Sequence, residues 1–474
     1  MTKSQPTTSK KIINSFDEFF TLIPIKINKN ISFHHHLRNG DYVLNMVLDF
    51  YLKEKVQDIN LFPSAIFPKY TKILDLLRNN QINNITTNYL NGPVADYITN
   101  NGLKGTLKMQ THGGRARSIL EGKNNIDIAY IAAPYTDNQG NAIGYKGLNK
   151  CGSLGYAIAD SEQAKIVVLV TDHITNEIVK DPEIKAENVD YIIKVDSIGD
   201  NLGIVSGTTN ITTNPIGVKI AKNTSTLLNE LGLIKNGFSF QSGAGGASLR
   251  VTKDVKDIML TNNIKASFFS GGITKYHVEM LEEGLVEKLY DVQCFDIEAI
   301  DSMAKNSHHH PISASIYANP ANPNRVIKDL DIVILGATEI DYDFNVNVTT
   351  DSHQNLIGGS GGHSDTASEA KVTVIVSPLI KGRIPVIKKR VTTITTLGEN
   401  VDCFVTERGI AINPKRTDLI KKLEHTSLKI ISIEELAKLA YSYTGIPKET
   451  KTTTNQIGVI EDRTYNIIDK LYQK

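Results

Sequence analysis

Four glycine-rich segments are the parts of this sequence best suited to chemistry. They are residues 110–117, 238–248, 268–273 and 358–365. Glycine lets a ligand approach the backbone closely, and amides at a helix start present N–H groups to negative charge. Any single loop could simply make a tight turn, but four loops with paired glycines exceed what chain connection requires. We therefore predict a cleft rich in backbone donors, suited to an acyl oxyanion or a phosphorylated cofactor.

Arginines next to these loops are candidates for binding a small polycarboxylate. Arg115 and Arg117 flank a paired-glycine turn, and Arg38 lies in the segment 34–41 with Asp41. A guanidinium can form two parallel hydrogen bonds to a carboxylate. A surface ion pair is the alternative for Arg115 and Arg117, and a solvated turn is the alternative for the segment 34–41. With His112, the three arginines are our candidate substrate-binding residues.

Other residue types give weaker signals. Glu339 and Glu407 each follow a predicted buried strand, where a carboxylate could be a catalyst, a charge partner or a cap. Cys403 lies within a predicted strand and reads as core. The sequence contains no P-loop, zinc-deaminase, His-Glu-x-x-His or Gly-x-Ser-x-Gly motif, and only a weak dinucleotide fingerprint. Adjacent histidines at 34–36 and 308–310 alternate in direction on a strand, so we expect no metal site.

Composition indicates a globular chain. The protein has 474 residues, of which 40% are hydrophobic, so disorder is excluded as its main state. Lys and Arg (52) nearly balance Asp and Glu (51), which argues against binding to nucleic acid or anionic lipid. Three separated cysteines, no secretory signal and no apolar run of membrane-spanning length together predict a cytoplasmic location.

The chain is predicted to be a doubled unit. A short lead-in, Glu-Gln-Ala-Lys ending at Lys165 and Glu-Ala-Lys ending at Lys371, precedes an aliphatic strand in each half, at an offset of 206 residues. Further matches lie upstream and downstream in the same order. The alternative explanation of these matches is that buried strands resemble one another in general, because they are β-branched and aliphatic. We predict an α/β fold of two tandem homologous domains, each a mainly parallel sheet flanked by helices. The expected divisions are a lead-in (1–28), a first domain (29–225) and a second domain (226–474).

Several strings resemble those of the citrate lyase alpha chain family, within the CoA-transferase superfamily. They are residues 32–41, 110–115, 151–160, 195–200, 203–209, 271–274, 291–296, 358–365 and 405–410. The resemblance implies two CoA-transferase-like domains. It also implies exchange of acetate for citrate on the thiol of an acyl carrier protein, giving citryl-carrier and acetate.

The same resemblance implies partners and a cofactor. The expected partners are a beta chain, which cleaves the citryl group to oxaloacetate, and a gamma chain, which is the acyl carrier protein, all in one oligomeric complex. The carrier's arm would be a phosphoribosyl-dephospho-CoA prosthetic group, so we expect no cofactor bound covalently to this chain. The loops that would hold the thioester and this arm supply seven candidates: Gly243, Gly245, Gly246, Gly359, Gly361, Gly362 and His363.

The catalytic candidates are Gly271, Gly272 and Glu339. Related transferases that form a covalent enzyme–CoA thioester use a glutamate just before a glycine turn, and the corresponding place here, residues 269–272, has no carboxylate. We therefore predict direct transfer through a mixed anhydride. A covalent route through Glu339 or Glu407, and a non-catalytic scaffold subunit, stay open as alternatives. The choice between citrate and citramalate also stays open.

Overall fold

The computed structural model describes residues 11–205, 209–447 and 453–474. Residues 206–208 of the string at 203–209 lie outside this part. None of the helices it describes is both long enough and apolar enough to cross a membrane.

The first half of the chain forms short strands separated by helices. In chain order these strands are β1 (Ile12–Ile13), β2 (Asn30–Phe33), β3 (Ile59–Pro63), β4 (Ile82–Thr87), β5 (Leu107–Met109), β6 (Ile128–Ala132), β7 (Tyr135–Asp137), β8 (Ala142–Ile143), β9 (Ile166–Thr171), β10 (Ile174–Thr175) and β11 (Tyr191–Lys194).

The second half repeats the pattern and is followed by a hairpin. Its strands are β12 (Ser239–Ser242), β13 (Ala266–Ile273), β14 (Val286–Cys294), β15 (His309–Pro311), β16 (Ile332–Gly336), β17 (Glu339–Asp341), β18 (Val346–Asn347), β19 (Val372–Val376), β20 (Ile380–Lys381), β21 (Ile384–Pro385), β22 (Ile387–Lys388), β23 (Cys403–Val405), β24 (Ile410–Ile412), β25 (Gln456–Glu461) and β26 (Ile467–Tyr472).

The two main sheets share one strand order. The first runs β1-β11-β9-β6-β2-β3-β4-β5-β25-β26, and the second runs β15-β14-β13-β12-β16-β19-β23-β24. Read in one direction, β11-β9-β6-β2-β3-β4-β5 matches β23-β19-β16-β12-β13-β14-β15 strand for strand. Among the described strands, only β24 and β26 join these sheets antiparallel. The predicted α/β fold of two tandem, mainly parallel domains is confirmed.

Helices cover the sheets. They are α1 (Phe16–Leu22), α2 (Val43–Lys53), α3 (Thr71–Arg78), α4 (Pro93–Asn101), α5 (His112–Leu120), α6 (Ile158–Gln163), α7 (Pro215–Glu230), α8 (Gly246–Asn262), α9 (Lys275–Glu282), α10 (Ile297–Lys305), α11 (Ala314–Ala318), α12 (His363–Ala367), α13 (Thr417–Leu423) and α14 (Ile433–Thr444).

Local sequence explains where these elements begin and end. The strands β9 and β19 are almost wholly buried aliphatic runs, as parallel strands covered on both faces must be. In α14, Ser432 and Glu435 form the predicted capping box, and Gly445 at φ 75° ends the helix.

Both ends of the described chain join the first sheet. Within the lead-in, β1 pairs with β11 at the sheet edge, and Phe19 of α1 is fully buried. At the other end, β25 pairs in parallel with β5, and β26 becomes the opposite edge. The last hairpin of the segment predicted as the second domain (226–474) therefore belongs to the first sheet by its hydrogen bonds.

The contacts between the domains include two equivalent hydrogen bonds. The His112 N–H of α5 donates to the Gly361 carbonyl at 2.9 Å, and the Ala314 N–H of α11 donates to the Gly155 carbonyl at 2.9 Å. Gly155 and Gly361 are separated by the same 206 residues as the sequence repeat. A Cβ on Gly155 would lie 2.3 Å from the Ile312 carbonyl oxygen, so this approach requires glycine. The two domains thus face each other with their carboxyl-end loops in contact.

Candidate active site

The candidate site, called the crevice below, is the boundary where the loops after β2 and β3 of the first domain contact the ends of β13 and β14 of the second. Ligands of open α/β sheets bind at the carboxyl ends of strands, and here two such edges face one another. Both domains contribute side chains to this place. Arg38 and His112 come from the first domain, and Gly271, Gly272 and Phe295 come from the second.

Arg38 stands between aromatic rings from both domains. Its Cζ lies 5.4 Å from the Phe67 ring centroid and 5.0 Å from the Phe295 ring centroid. Its Nη1 is buried and has no hydrogen-bond partner within the described ranges. Burial lowers the pKa of Arg38, an effect opposed by the nearby phenols of Tyr89 and Tyr156. A guanidinium stays charged at neutral pH, so this site carries a cation.

Arg115 and Arg117 are paired within the protein. Arg115 donates from Nη1 and Nη2 to the two carboxylate oxygens of Asp160, at 2.8 Å each. Arg117 donates from Nε to Glu121 at 2.8 Å, and its Cζ lies 4.4 Å from the Tyr465 ring centroid. The structure therefore places Arg38 in the crevice, whereas the other two predicted arginines have carboxylate partners of their own.

The predicted residue His112 forms part of an aromatic wall of the crevice. Its ring centroid lies 4.5 Å from that of Tyr156, which in turn lies 4.3 Å from that of His35. His112 Nε2 is 3.1 Å from the Tyr156 hydroxyl. Burial lowers the pKa of His112 to about 3 and that of His35 well below its usual value. Both rings are neutral at pH 7, so they contribute polarity without charge.

Gly271 and Gly272 lie at the carboxyl end of β13, where the pairing with β14 shifts register by one residue. Gly271 has φ 98°, and a Cβ there would lie 2.7 Å from Gln241 Cδ. Gln241 accepts a hydrogen bond from Ser270 Oγ and donates one to the Tyr317 hydroxyl. The bulge therefore requires glycine, and the hydrogen bonds of Gln241 to Ser270 and Tyr317 stabilise its surroundings.

Glu339 lies on the small sheet of β17, β18 and β22, where its oxygens accept several hydrogen bonds. The donors are Asn347 Nδ2, Ser352 Oγ, Thr392 Oγ1 and the Thr392 N–H. Lys388 Nζ lies 3.7 Å away, and the Glu339 side chain is 1% exposed. Glu407 accepts from the Leu379 N–H at 3.1 Å. Neither glutamate is at the end of β13.

The remaining predicted glycines divide between two loops. Gly243, Gly245 and Gly246 lead into α8, whose Gly245 cap supplies no side chain. Gly359, Gly361 and Gly362 pack against first-domain backbone, the His112 ring and the Tyr317 hydroxyl, respectively.

His363 is committed to hydrogen bonds within the second domain. It bonds the Thr396 hydroxyl from Nδ1 and the Gly336 carbonyl from Nε2, both at 2.8 Å. Burial lowers its pKa to about 4. His363 thus stays within the second domain, and the approaches of its loop to the first domain include those of Gly359 and Gly361.

Comparison with known proteins identifies the family of this chain. The family model described as "Citrate lyase, alpha subunit (CitF)" matches residues 9–474. The citrate lyase alpha chain of Haemophilus influenzae is 40% identical over 470 residues, covering 99% of this chain and 94% of that one. The chain belongs to the citrate lyase alpha-subunit family.

Two solved structures are similar to this citrate lyase alpha-family chain. An alpha subunit of citrate lyase from Streptococcus mutans, in complex with citrate, has a TM-score of 0.96 and 42% identity, covering 99% of this chain and 92% of that one. A 4-hydroxybutyrate CoA-transferase from Porphyromonas gingivalis has a TM-score of 0.57 and 16% identity, covering 91% and 96%. The second likeness shows a common fold alone.

Some crevice residues of this citrate lyase alpha-family chain were not among the sequence candidates. Tyr156 and Phe295 lie within strings that carried the family resemblance, so a signal for them was present. Gln241 lies in the glycine-rich segment 238–248, whereas Phe67 and Tyr317 lie in no such segment or string. Phe67 joins the site through its contact with Arg38 in the first domain, and Tyr317 through its hydrogen bond with Gln241 in the second.

Proposed function

We propose that this chain transfers the thiol of an acyl carrier protein from acetyl to citrate, giving citryl-carrier and acetate. Family membership supports citrate as the substrate, and a family relative from Streptococcus mutans is solved with citrate. The expected partners are the other citrate lyase chains, a citryl-cleaving beta chain and the carrier chain. The arm of the carrier, a phosphoribosyl-dephospho-CoA group, is a substrate of this reaction.

The proposed route is direct transfer. A citrate carboxylate oxygen attacks the acetyl thioester carbonyl, the C–S bond breaks, and a mixed anhydride and a thiolate result. The thiolate then attacks the citryl carbonyl of the anhydride, the C–O bond breaks, and acetate leaves. No proton is transferred, so the enzyme must orient two acyl groups and stabilise the tetrahedral oxyanions.

One observation carries the choice of route. The end of β13 presents Gly271 and Gly272 at the crevice and no carboxylate. Glu339, the other catalytic candidate, is buried in the small sheet with both oxygens accepting hydrogen bonds. A covalent glutamyl intermediate would require one of these oxygens to leave its donors and reach the carrier thioester.

The test combines an assay with trapping. The purified chain is mixed with acetylated carrier and citrate, without the beta chain, and acetate and citryl-carrier are measured by mass spectrometry. We expect both products and no hydroxylamine- or borohydride-sensitive adduct on the chain. E339Q and E407Q should each retain transfer within about threefold, since neither group reacts. A trapped glutamyl adduct would exclude the direct route, and absence of acetate release would exclude the transfer itself.

A further inference from the structure

We infer that Arg38, held between Phe67 and Phe295, binds a carboxylate of the substrate other than the one that reacts, and that Phe295 is its positioning residue. This inference rests on the proposed transfer and adds the class of acid that the crevice selects. The acid must carry at least two carboxylates, one for Arg38 and one for the thioester.

The first step is the state of the Arg38 guanidinium. It has no carboxylate partner and no side-chain hydrogen bond in the described part of the chain, although Nη1 is buried. Other described arginines either pair with a carboxylate or are exposed. The paired ones include Arg115, Arg117, Arg250, Arg325, Arg416 and Arg463, and the exposed ones are Arg78, Arg383 and Arg390.

A half-buried guanidinium without an anion has lost hydration that nothing in the described structure replaces. Burial lowers the pKa of Arg38, and the phenols of Tyr89, Tyr156 and Tyr70 oppose this shift. Burial lowers the pKa of His35, in the same loop, and the charge of Arg38 lowers it further, so this ring is neutral. An anionic ligand would supply the missing partner, and a carboxylate matches the fork of a guanidinium.

The second step is how the guanidinium is held. Both ring centroids lie within the range of a cation–π contact, one ring from each domain. The Phe295 ring occupies the space that a side chain on residue 272 would take, because a Cβ on Gly272 would lie 1.9 Å from Phe295 Cε2. Gln293, two residues earlier, donates from Nε2 to the His35 carbonyl at 3.2 Å. The end of β14 therefore fixes the first-domain loop that carries Arg38.

The third step is chemical selection. An acid with a single carboxylate that paired with Arg38 would have no second carboxylate to attack the thioester. A di- or tricarboxylate can pair one group with Arg38 and present another for attack. Acetate, the product, would bind through one group only and would leave readily. Arg38 alone can therefore distinguish the incoming di- or tricarboxylate from the departing acetate.

The experiment measures citrate binding and transfer separately. Citrate affinity is measured by calorimetry, and KM for citrate and for acetylated carrier by acetate release. We expect R38K to raise the citrate dissociation constant and KM about tenfold or more, with KM for the carrier within about twofold. F295L should raise the citrate constants about three- to tenfold, and F295Y, which keeps the ring, should stay within about twofold.

The controls are the same changes outside the crevice. R78K alters an exposed arginine at the end of α3, and F268L alters a half-buried ring that packs on Tyr290. Both should bind citrate like the wild type. Citrate binding by R38K within twofold of wild type would overturn the inference, and the same result for F295L would remove the role of Phe295.

The outcomes for the two proposals separate. If the wild type exchanges acetyl for citryl on the carrier but R38K binds citrate normally, the proposed carboxylate subsite is wrong and the proposed transfer is supported. If citrate binding depends on Arg38 and Phe295 but the wild type releases no acetate, the transfer is wrong and the carboxylate subsite stands. Should R38K fail to fold, R38M takes its place, and citrate binding by R38M within twofold of wild type would overturn the inference.

Discussion

The charge of Arg115 is paired with that of Asp160 in the protein interior. Its two bonds to Asp160 are buried, and His34 Nε2 lies 3.3 Å from the same carboxylate. Burial alone would raise the pKa of Asp160, but Arg115 and His34 hold it well below its ordinary value. The pair connects α5, which begins at the domain contact of His112, to α6, which begins three residues after that of Gly155.

Removing Arg115 should therefore destabilise the protein. We expect R115M to lower the free energy of unfolding by about 3–5 kcal/mol, because Asp160 would be left as a buried charge without its partner. Urea denaturation measures this change. The double variant R115M/D160N should recover part of the loss, since it removes both charges. Equal stability of R115M and wild type would show that the pair contributes nothing.

At the scale of elements, the bulge between β13 and β14 decides where Phe295 lies. The register shift falls between Gly271 and Gly272, where β14 presents Gln293 to the first domain, and Phe295, directly after the end of β14, contacts Arg38. A bulge re-aims the side chains beside it and is common next to functional sites. The absence of a side chain at position 272 is what lets the Phe295 ring rest there.

A methyl group at position 272 should disturb this contact. We expect G272A to lower the rate of acetate release at subsaturating citrate about tenfold or more, because the Phe295 ring must move away from Arg38. The matched control is G284A, at φ 74°, where a Cβ would meet no other atom of the described residues within 4 Å. Left-handed strain should lower its stability by about 1 kcal/mol without changing citrate KM. Wild-type kinetics for G272A would contradict the role of the bulge.

The elements themselves were largely predictable from sequence, and their partners were not. The strands around residues 166 and 372 and the capping box of Ser432 and Glu435 are local patterns, so periodicity and spacing sufficed. The choice between Arg38 and Arg115 depends on Asp160, 45 positions from Arg115 in sequence, and on a ring from the other domain. Such long-range pairing leaves no trace in residue spacing.

At the scale of the whole molecule, Asp365 links the two domains. From α12 it accepts from Thr111 Oγ1 at 2.7 Å and from the Gly113 N–H at 2.9 Å, both at the start of α5. Burial raises the pKa of Asp365 to about 6, although Arg463 opposes the shift. This value lies above the roughly 3.9 expected for an unfolded chain. The folded protein therefore binds this proton at higher pH than the unfolded protein does.

The stability contribution of Asp365 should fall as pH rises from about 4 to about 6. We expect the difference in unfolding free energy between wild type and D365N to decrease by about 2–3 kcal/mol over this range, because asparagine does not titrate. Urea denaturation at several pH values measures it. D257N, on the exposed face of α8, is the control for the replacement of an aspartate by asparagine away from the domain contact. A pH-independent difference for D365N would refute the raised pKa.

The closing hairpin gives the molecule an unusual connectivity. Because β25 pairs with β5, the chain leaves the first sheet before α7 and returns to it after α14. The Arg463 guanidinium at the hairpin turn pairs with Glu369 and donates to the Asp365 carbonyl, so the returning segment also touches the second sheet's helices. The second lobe is thus an insertion anchored at both ends. A single proteolytic nick within this inserted domain would therefore leave both fragments with strands in the first sheet, since β11 precedes the insertion and β25 follows it.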